Sequence, residues 1–142
     1  MIYVIYWSQT GNTAEMAKAV EEGILEAGGE AKMLAVGAAS PDDVKDAKAL
    51  ALGCPASGAE QLEETEMEPF VEQFEQIAGG KNVALFGSYG WGGGEWMHNW
   101  EDRLKTAGAN IVGGKGIVCM EAPDEEVLKE CRELGKELGK VN

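Results

Sequence analysis

The order of residues predicts an α/β fold, with a doubly wound parallel sheet covered by helices on both faces. Three observations predict it. Apolar runs of strand length alternate along the chain with stretches of helical period. Most of the runs are continuously apolar, as strands buried on both faces require. No repeat, linker or low-complexity segment interrupts the alternation, so the 142 residues read as one domain spanning 1–142.

The strand candidates are Ile2–Trp7, Ala31–Val36, Ala49–Cys54, Val83–Gly87 and a broken run, Ile111–Cys119. Between the first two, Met16, Ala17, Val20, Ile24 and Ala27 form one helical stripe, ended by Gly28-Gly29. Ser40-Pro41-Asp42-Asp43 opens a shorter helix. The next helix is expected to start at Thr65, where Thr65 and Glu68 have capping-box spacing, and to carry Phe70, Val71, Phe74, Ile77 and Ala78 inward. A third stripe is Trp96, Met97, Trp100, Leu104 and Ala107, stopped by Gly108. The last is Val127, Leu128, Cys131, Leu134, Leu138 and Val141, with Asp124 as N-cap. The result is β-α repeated five times, the pattern of a parallel sheet with right-handed crossovers.

Charge and cysteines narrow the function. Twelve Lys and Arg against 25 Asp and Glu give a formal charge of -13. Such a chain does not bind nucleic acid by neutralising phosphates, and anionic membrane surfaces repel it. Basic protein faces are its natural partners, with salt-sensitive steering. Cys54, Cys119 and Cys131 include no Cys-x-x-Cys pair, which argues against a disulfide framework, a zinc knuckle or an iron–sulfur site, and Cys54 reads as a core residue. No basic segment precedes the first apolar run and no apolar stretch reaches membrane length, so the expectation is a cytoplasmic protein.

In this architecture ligands bind beyond the carboxyl ends of the strands. The loop after the first strand, Ser8-Gln9-Thr10-Gly11-Asn12-Thr13, has three hydroxyls and no charge, and it runs into a helix. Helix N-termini offer unpaired N–H groups and a positive dipole end, so the loop suits a phosphate nest without Lys or Arg. A polar N-capping loop with no ligand fits the same composition. The loop lacks the Gly-x-x-x-x-Gly-Lys of NTPases, and no strand is followed by Gly-x-Gly-x-x-Gly. A phosphate monoester on a larger ligand fits best. The loop after the third strand is Pro55-Ala56-Ser57-Gly58-Ala59-Glu60. After the fourth comes Ser88-Tyr89-Gly90-Trp91-Gly92, continuing through Gly93-Gly94. Its glycines let backbone approach a flat ligand, and Trp91 offers a face for stacking; a loop anchor folded into the core is the other reading of Trp91. Trp96 and Trp100 lie on the helical stripe and read as core. His98 falls off it and reads as a solvated residue.

Three stretches together resemble a flavodoxin, of the short-chain type of anaerobic bacteria: Tyr6-Trp7-Ser8-x-Thr10-Gly11-Asn12-Thr13, Leu52-Gly53-Cys54-Pro55-Ala56 and Leu85-Phe86-Gly87-Ser88-Tyr89-Gly90-Trp91-Gly92. The resemblance covers essentially the whole chain. It implies a five-stranded sheet in order 2-1-3-4-5 and one non-covalent FMN. It implies that Ser8, Gln9, Thr10, Gly11, Asn12 and Thr13 cradle the phosphate. Pro55, Ala56, Ser57, Gly58, Ala59 and Glu60 pass the ring edge and one face, with Glu60 accepting from the ring's N3–H. Ser88, Tyr89, Gly90, Trp91 and Gly92 supply the other side, Trp91 stacked on the ring, and Cys119, Met120 and Glu121 lie near the ribityl chain. Ser57 departs from relatives that place Met or Trp against the inner face, and leaves that face less covered.

The expected function is a monomeric, low-potential one-electron carrier that serves redox enzymes with basic docking surfaces, with no catalytic residue and no turnover of its own. The surrounding carboxylates Glu60, Glu63, Glu64, Glu66, Glu68 and Glu95 would disfavour extra negative charge on the ring. The alternatives are an FMN-dependent NAD(P)H or quinone reductase on the same fold, and a non-redox signalling module.

Overall fold

A computed structural model describes residues 1–57, 61–90 and 92–141. Eight continuous segments follow the predicted order: β1 (Ile2–Tyr6), α1 (Asn12–Glu26), β2 (Ala31–Ala35), β3 (Ala49–Gly53), α2 (Met67–Phe74), β4 (Asn82–Tyr89), α3 (Glu95–Thr106) and, last, α4 (Glu125–Lys140). Between α3 and α4 the fifth sheet position is shared by β5 (Asn110–Ile111) and β6 (Ile117–Met120). The sheet order is β2-β1-β3-β4-β5, all parallel.

The broken apolar run is therefore a broken strand. β5 pairs with the start of β4 at Asn82 and Val83, and β6 pairs with its end from Phe86 to Tyr89. Between them Gly113 and Gly114 both take positive φ, 78° and 83°, which turns the chain out of the ladder. The buried Glu101 carboxylate on α3 accepts the Gly116 N–H at 2.7 Å and fixes the return.

Strand alternation sorts two cores. Leu50 and Leu52 of β3 face α2 and α3 with Phe70, Phe74, Trp96, Trp100 and Leu104. Ala49 and Ala51 face the other side with Met16, Val20 and Ile24 of α1 and Cys131, Leu134 and Leu138 of α4. Trp96 and Trp100 are core residues, as their helical spacing predicts. On the alanine side α1 and α4 approach closely. A Cβ on Gly23 would overlap the Arg132 carbonyl, and one on Gly135 the Val20 carbonyl, so each helix presents a bare backbone to the other.

Helix starts show one hit, one shortening and one correction. Asp124 caps α4 by accepting the Val127 N–H at 2.9 Å, as predicted. Ser40-Pro41 opens only a 3-10 turn, Pro41–Val44, closed by a Ser40–Asp43 capping box. The expected Thr65–Glu68 capping box does not form, and α2 starts at Met67. Glu63 takes over instead. Its buried carboxylate accepts the N–H groups of Thr65 (2.8 Å), Glu66 (2.7 Å) and Met67 (3.0 Å), and the Thr65 hydroxyl. Glu68, freed from capping, makes a bidentate pair with Arg103 of α3 at 2.8 and 2.5 Å, and Glu75 adds a third bond at 2.5 Å.

Burial pushes the Glu63 carboxyl upward, but the hydrogen bonds together outweigh it and hold it below its ordinary value of 4.5. A depressed value in the fold means that the stabilisation is complete above pH 4.5 and is lost as pH falls through the lower, folded value. Glu63→Ala is expected to lower the unfolding free energy by about 1–3 kcal/mol at neutral pH. The gap from wild type should close as pH drops below 4.5, measured by urea titration at several pH values.

Candidate functional site

β1 and β3 end side by side, Tyr6 beside Gly53, and Gly53 lies beside Phe86 of β4, which continues to Tyr89. Backbone bonds carry the alignment past the strands. Trp7 N–H donates to Gly53 at 3.0 Å, Cys54 to Phe86 at 3.1 Å, Ala56 to Ser88 at 3.0 Å, and Glu121 to Tyr89 at 2.7 Å. A cleft of about 240 Å³ opens among the loops so aligned.

Its walls come from four segments: Trp7, Ser8, Gln9, Thr10, Asn12 and Thr13; Pro55, Ala56 and Ser57; Ser88, Tyr89 and Gly90; and Glu121. Ser57 and Gln61 exchange two backbone bonds, 2.8 and 3.0 Å, which close the base of the loop between β3 and α2. Gly58, Ala59, Glu60 and Trp91 lie outside the described residues.

The residues of the loop expected to hold a phosphate divide their work. Ser8 Oγ accepts the N–H groups of Gly11 (3.1 Å) and Ala14 (3.3 Å), which caps α1 from outside the helix. Gly11, at φ 95°, is the turn that makes this possible, and it borders a neighbouring groove rather than the cleft. Thr13 is buried, and its hydroxyl lies 3.4 Å from that of Ser88. Among the described residues, the N–H groups of Gln9, Thr10, Asn12 and Thr13 have no protein acceptor. Four amides at the positive end of a 15-residue helix form an anion nest that contains no cation.

The family model for flavodoxin matches residues 4–135. The chain belongs to the flavodoxin family. It is 41% identical to a flavodoxin of Megasphaera elsdenii over 141 residues, covering 99% of this chain and 100% of the other. With a flavodoxin of Clostridium beijerinckii the identity is 43% over 138 residues, 97% and 99% of the two chains. The solution structure of two-electron reduced Megasphaera elsdenii flavodoxin superposes with a TM-score of 0.88 at 40% identity, covering 99% of each chain. Flavodoxins bind FMN. The cleft fits that group at its phosphate end, where the unpartnered amides present donors to a phosphate monoester.

Several expected site residues stand elsewhere. Cys119 is buried, its thiol directed at Met16 Sδ (3.7 Å) and the Glu121 carbonyl (3.5 Å), and Met120 is exposed. Neither lines the cleft, and neither does Gly92; of the strand-five trio only Glu121 does. Cys119 and Met120 are consecutive β6 residues that alternate between a buried and an exposed side, and Glu121 is the first residue past that strand. Trp7 is the cleft residue that reading the loops missed. Its signal was its place between the last β1 residue and Ser8.

The acidic surround is also thinner than expected. Glu63 is turned inward as a helix cap, and Glu68 is neutralised by Arg103, which holds it below the usual carboxylate range. Glu64, Glu66 and Glu95 are exposed, Glu66 bonded to Trp7, and Glu121 stands in the cleft wall, while Glu60 lies outside the described residues. Burial pushes the Cys54 thiol up to about 12 and the Cys119 thiol up to about 11, so neither is a nucleophile at neutral pH. His98 is exposed on α3, 3.7 Å from Glu101. Among the described residues no group of three or more potential ligands is placed to hold a metal. Among the described residues no helix is long and apolar enough to cross a membrane.

Cleft alignment rests on β3 and β4 meeting tightly. A Cβ on Gly87 would overlap the Cys54 carbonyl, and that same carbonyl accepts the Trp96 indole N–H at 3.1 Å. Gly87→Ala is therefore expected to destabilise the fold by about 1–3 kcal/mol, seen as a lower denaturant midpoint.

Proposed function

We propose that this flavodoxin is a low-potential one-electron carrier, a single-domain monomer of the cytoplasm that serves redox enzymes through basic docking faces. The observation that carries the reading is the charge layout of the cleft. An amide nest without Lys or Arg stands at one end, and Glu66 and Glu121 stand beside it on a chain of formal charge -13.

FMN supplies the electron chemistry when bound, since it takes up and releases electrons singly. The residues of the chain hold it and set its surroundings. In this reading the amides of Gln9, Thr10, Asn12 and Thr13 hold the phosphate, with hydroxyls from Thr10 and Ser8 close by. Pro55, Ala56 and Ser57 form one wall, and Ser88, Tyr89 and Gly90 form the other. Gly58, Ala59, Glu60, Trp91 and Gly92 are assigned to the ring by family position alone. Binding the phosphate by amides avoids a cation that would favour added negative charge. Glu121 opposes that charge directly, and the opposition weakens as salt screens it. The same acidity favours encounter with basic partners.

A visible spectrum and a potentiometric titration of the purified protein test the reading. Flavin bands, two separated one-electron steps and no steady NAD(P)H oxidation by the protein alone are expected. Steady oxidation would assign it to the reductases instead. Glu121→Gln is expected to raise the lower potential by about 20–40 mV, equivalent to ~0.5–1 kcal/mol for one electron. Ser8→Ala is expected to weaken FMN binding about tenfold while leaving riboflavin affinity unchanged, as loss of one charge-assisted contact and its helix cap requires.

A further inference from the structure

One contact joins the two halves of the cleft from outside. The Trp7 indole N–H donates to Glu66 Oε1 at 3.2 Å. Trp7 lines the cleft immediately before Ser8, whose hydroxyl caps α1. Glu66 does not line the cleft; it lines a neighbouring groove that Trp7 and Ser8 also border, and a second one with Gly37 and Phe70.

Glu66 has a fixed base to act from. Its N–H donates to Glu63 at 2.7 Å, and its carbonyl accepts from Phe70 at 3.2 Å, so the first turn of α2 holds its backbone. Its carboxylate also occupies the space where a side chain at Gly37 would start, because a Cβ there would overlap Glu66 Oε2. Gly37 does not need its glycine for backbone geometry, as its φ lies outside the left-handed region. The missing side chain instead leaves room for the carboxylate beside the indole.

We propose that Glu66 is a positioning residue: by holding the Trp7 indole it ties the loop between β3 and α2 to the phosphate loop, and so sets FMN affinity without touching FMN. This rests on the assignment of the cleft as the FMN site. Charge alone predicts the opposite sign, since a carboxylate beside a phosphate nest opposes an anion and its removal should tighten binding. A latch predicts weaker binding when the acceptor is lost. Glu66 is exposed, so its replacement leaves the core intact.

The test uses the full chain, with FMN titration followed by quenching of flavin fluorescence. A 1H–15N spectrum of the flavin-free protein reports the indole N–H, with Trp7→Phe identifying the Trp7 resonance. Glu66→Ala is expected to shift that resonance upfield and raise the FMN Kd roughly threefold to tenfold, the range of one accessible hydrogen bond. Glu66→Gln keeps an acceptor and loses the charge, so it should bind FMN at least as tightly as wild type. Gly37→Ala should displace the carboxylate and reproduce Glu66→Ala, and the double variant should be no weaker than either single one.

An unmoved indole resonance in Glu66→Ala overturns the latch. A moved resonance with unchanged FMN affinity, or losses that add in the double variant, overturns its coupling to the cleft. Wild-type protein that binds no FMN overturns the site assignment beneath both.

Discussion

The register of the parallel ladder is the constraint on which the rest depends. Tyr6, Gly53 and Phe86 stand in one row, so β1 and β3 release their loops at the same level while β4 runs on past them to Tyr89. A slip of one residue would turn each strand's inward side chains to the opposite face and offset the loops. What locks the row is close packing without side chains at Gly53 and Gly87. A Cβ on Gly53 would strike the Phe86 ring, and one on Gly87 the Cys54 carbonyl. The Trp96 indole then bonds that carbonyl, so the first turn of α3 is fastened to the end of β3. The cleft is a product of sheet geometry before it is a product of any ligand-facing residue.

Acidic residues in this chain do two different kinds of work. Glu63, Glu68, Glu75 and Glu101 are consumed by structure, accepting amide or guanidinium hydrogens that would otherwise go unpaired. Glu66 and Glu121 stand by the cleft with no basic side chain paired to them among the described residues. Counting carboxylates in the sequence overstated the field at the site, because composition does not tell a cap from a free charge. Net charge governs encounter at a distance, whereas only the few unneutralised groups near the cleft act on what it holds.

The strands and helices were legible because their apolar stripes coincide with real buried faces. Met16, Val20 and Ile24 of α1, and Trp96, Trp100 and Leu104 of α3, are all in the core. The break in the fifth strand was visible as a broken apolar run, although its pairing to the two ends of β4 was not. The helix caps were less legible. Thr65 and Glu68 have the right spacing for a capping box, but Glu63 reaches the same amides from a buried position, and Arg103 claims Glu68 from another helix. Both rivals are tertiary contacts, invisible to a local pattern. The loop from Ser8 to Thr13 was legible as a polar, uncharged turn into a helix, but not in its division of labour, in which Ser8 serves the helix and leaves the other amides open. Trp7 was hidden because a tryptophan at the end of an apolar run reads as strand.

The glycine crossing of α1 and α4 carries a consequence for the order in which the molecule can be completed. Gly23 and Gly135 bring the second segment of the chain against the last. The amides of the phosphate loop begin α1, and the apolar face of α1 is covered by α4. During synthesis the loop leaves the ribosome first, while the helix that buries its neighbour leaves last. The nest is therefore a late-forming feature of an early-made segment, and a nascent chain lacking α4 carries the whole phosphate motif on a helix with one face still wet.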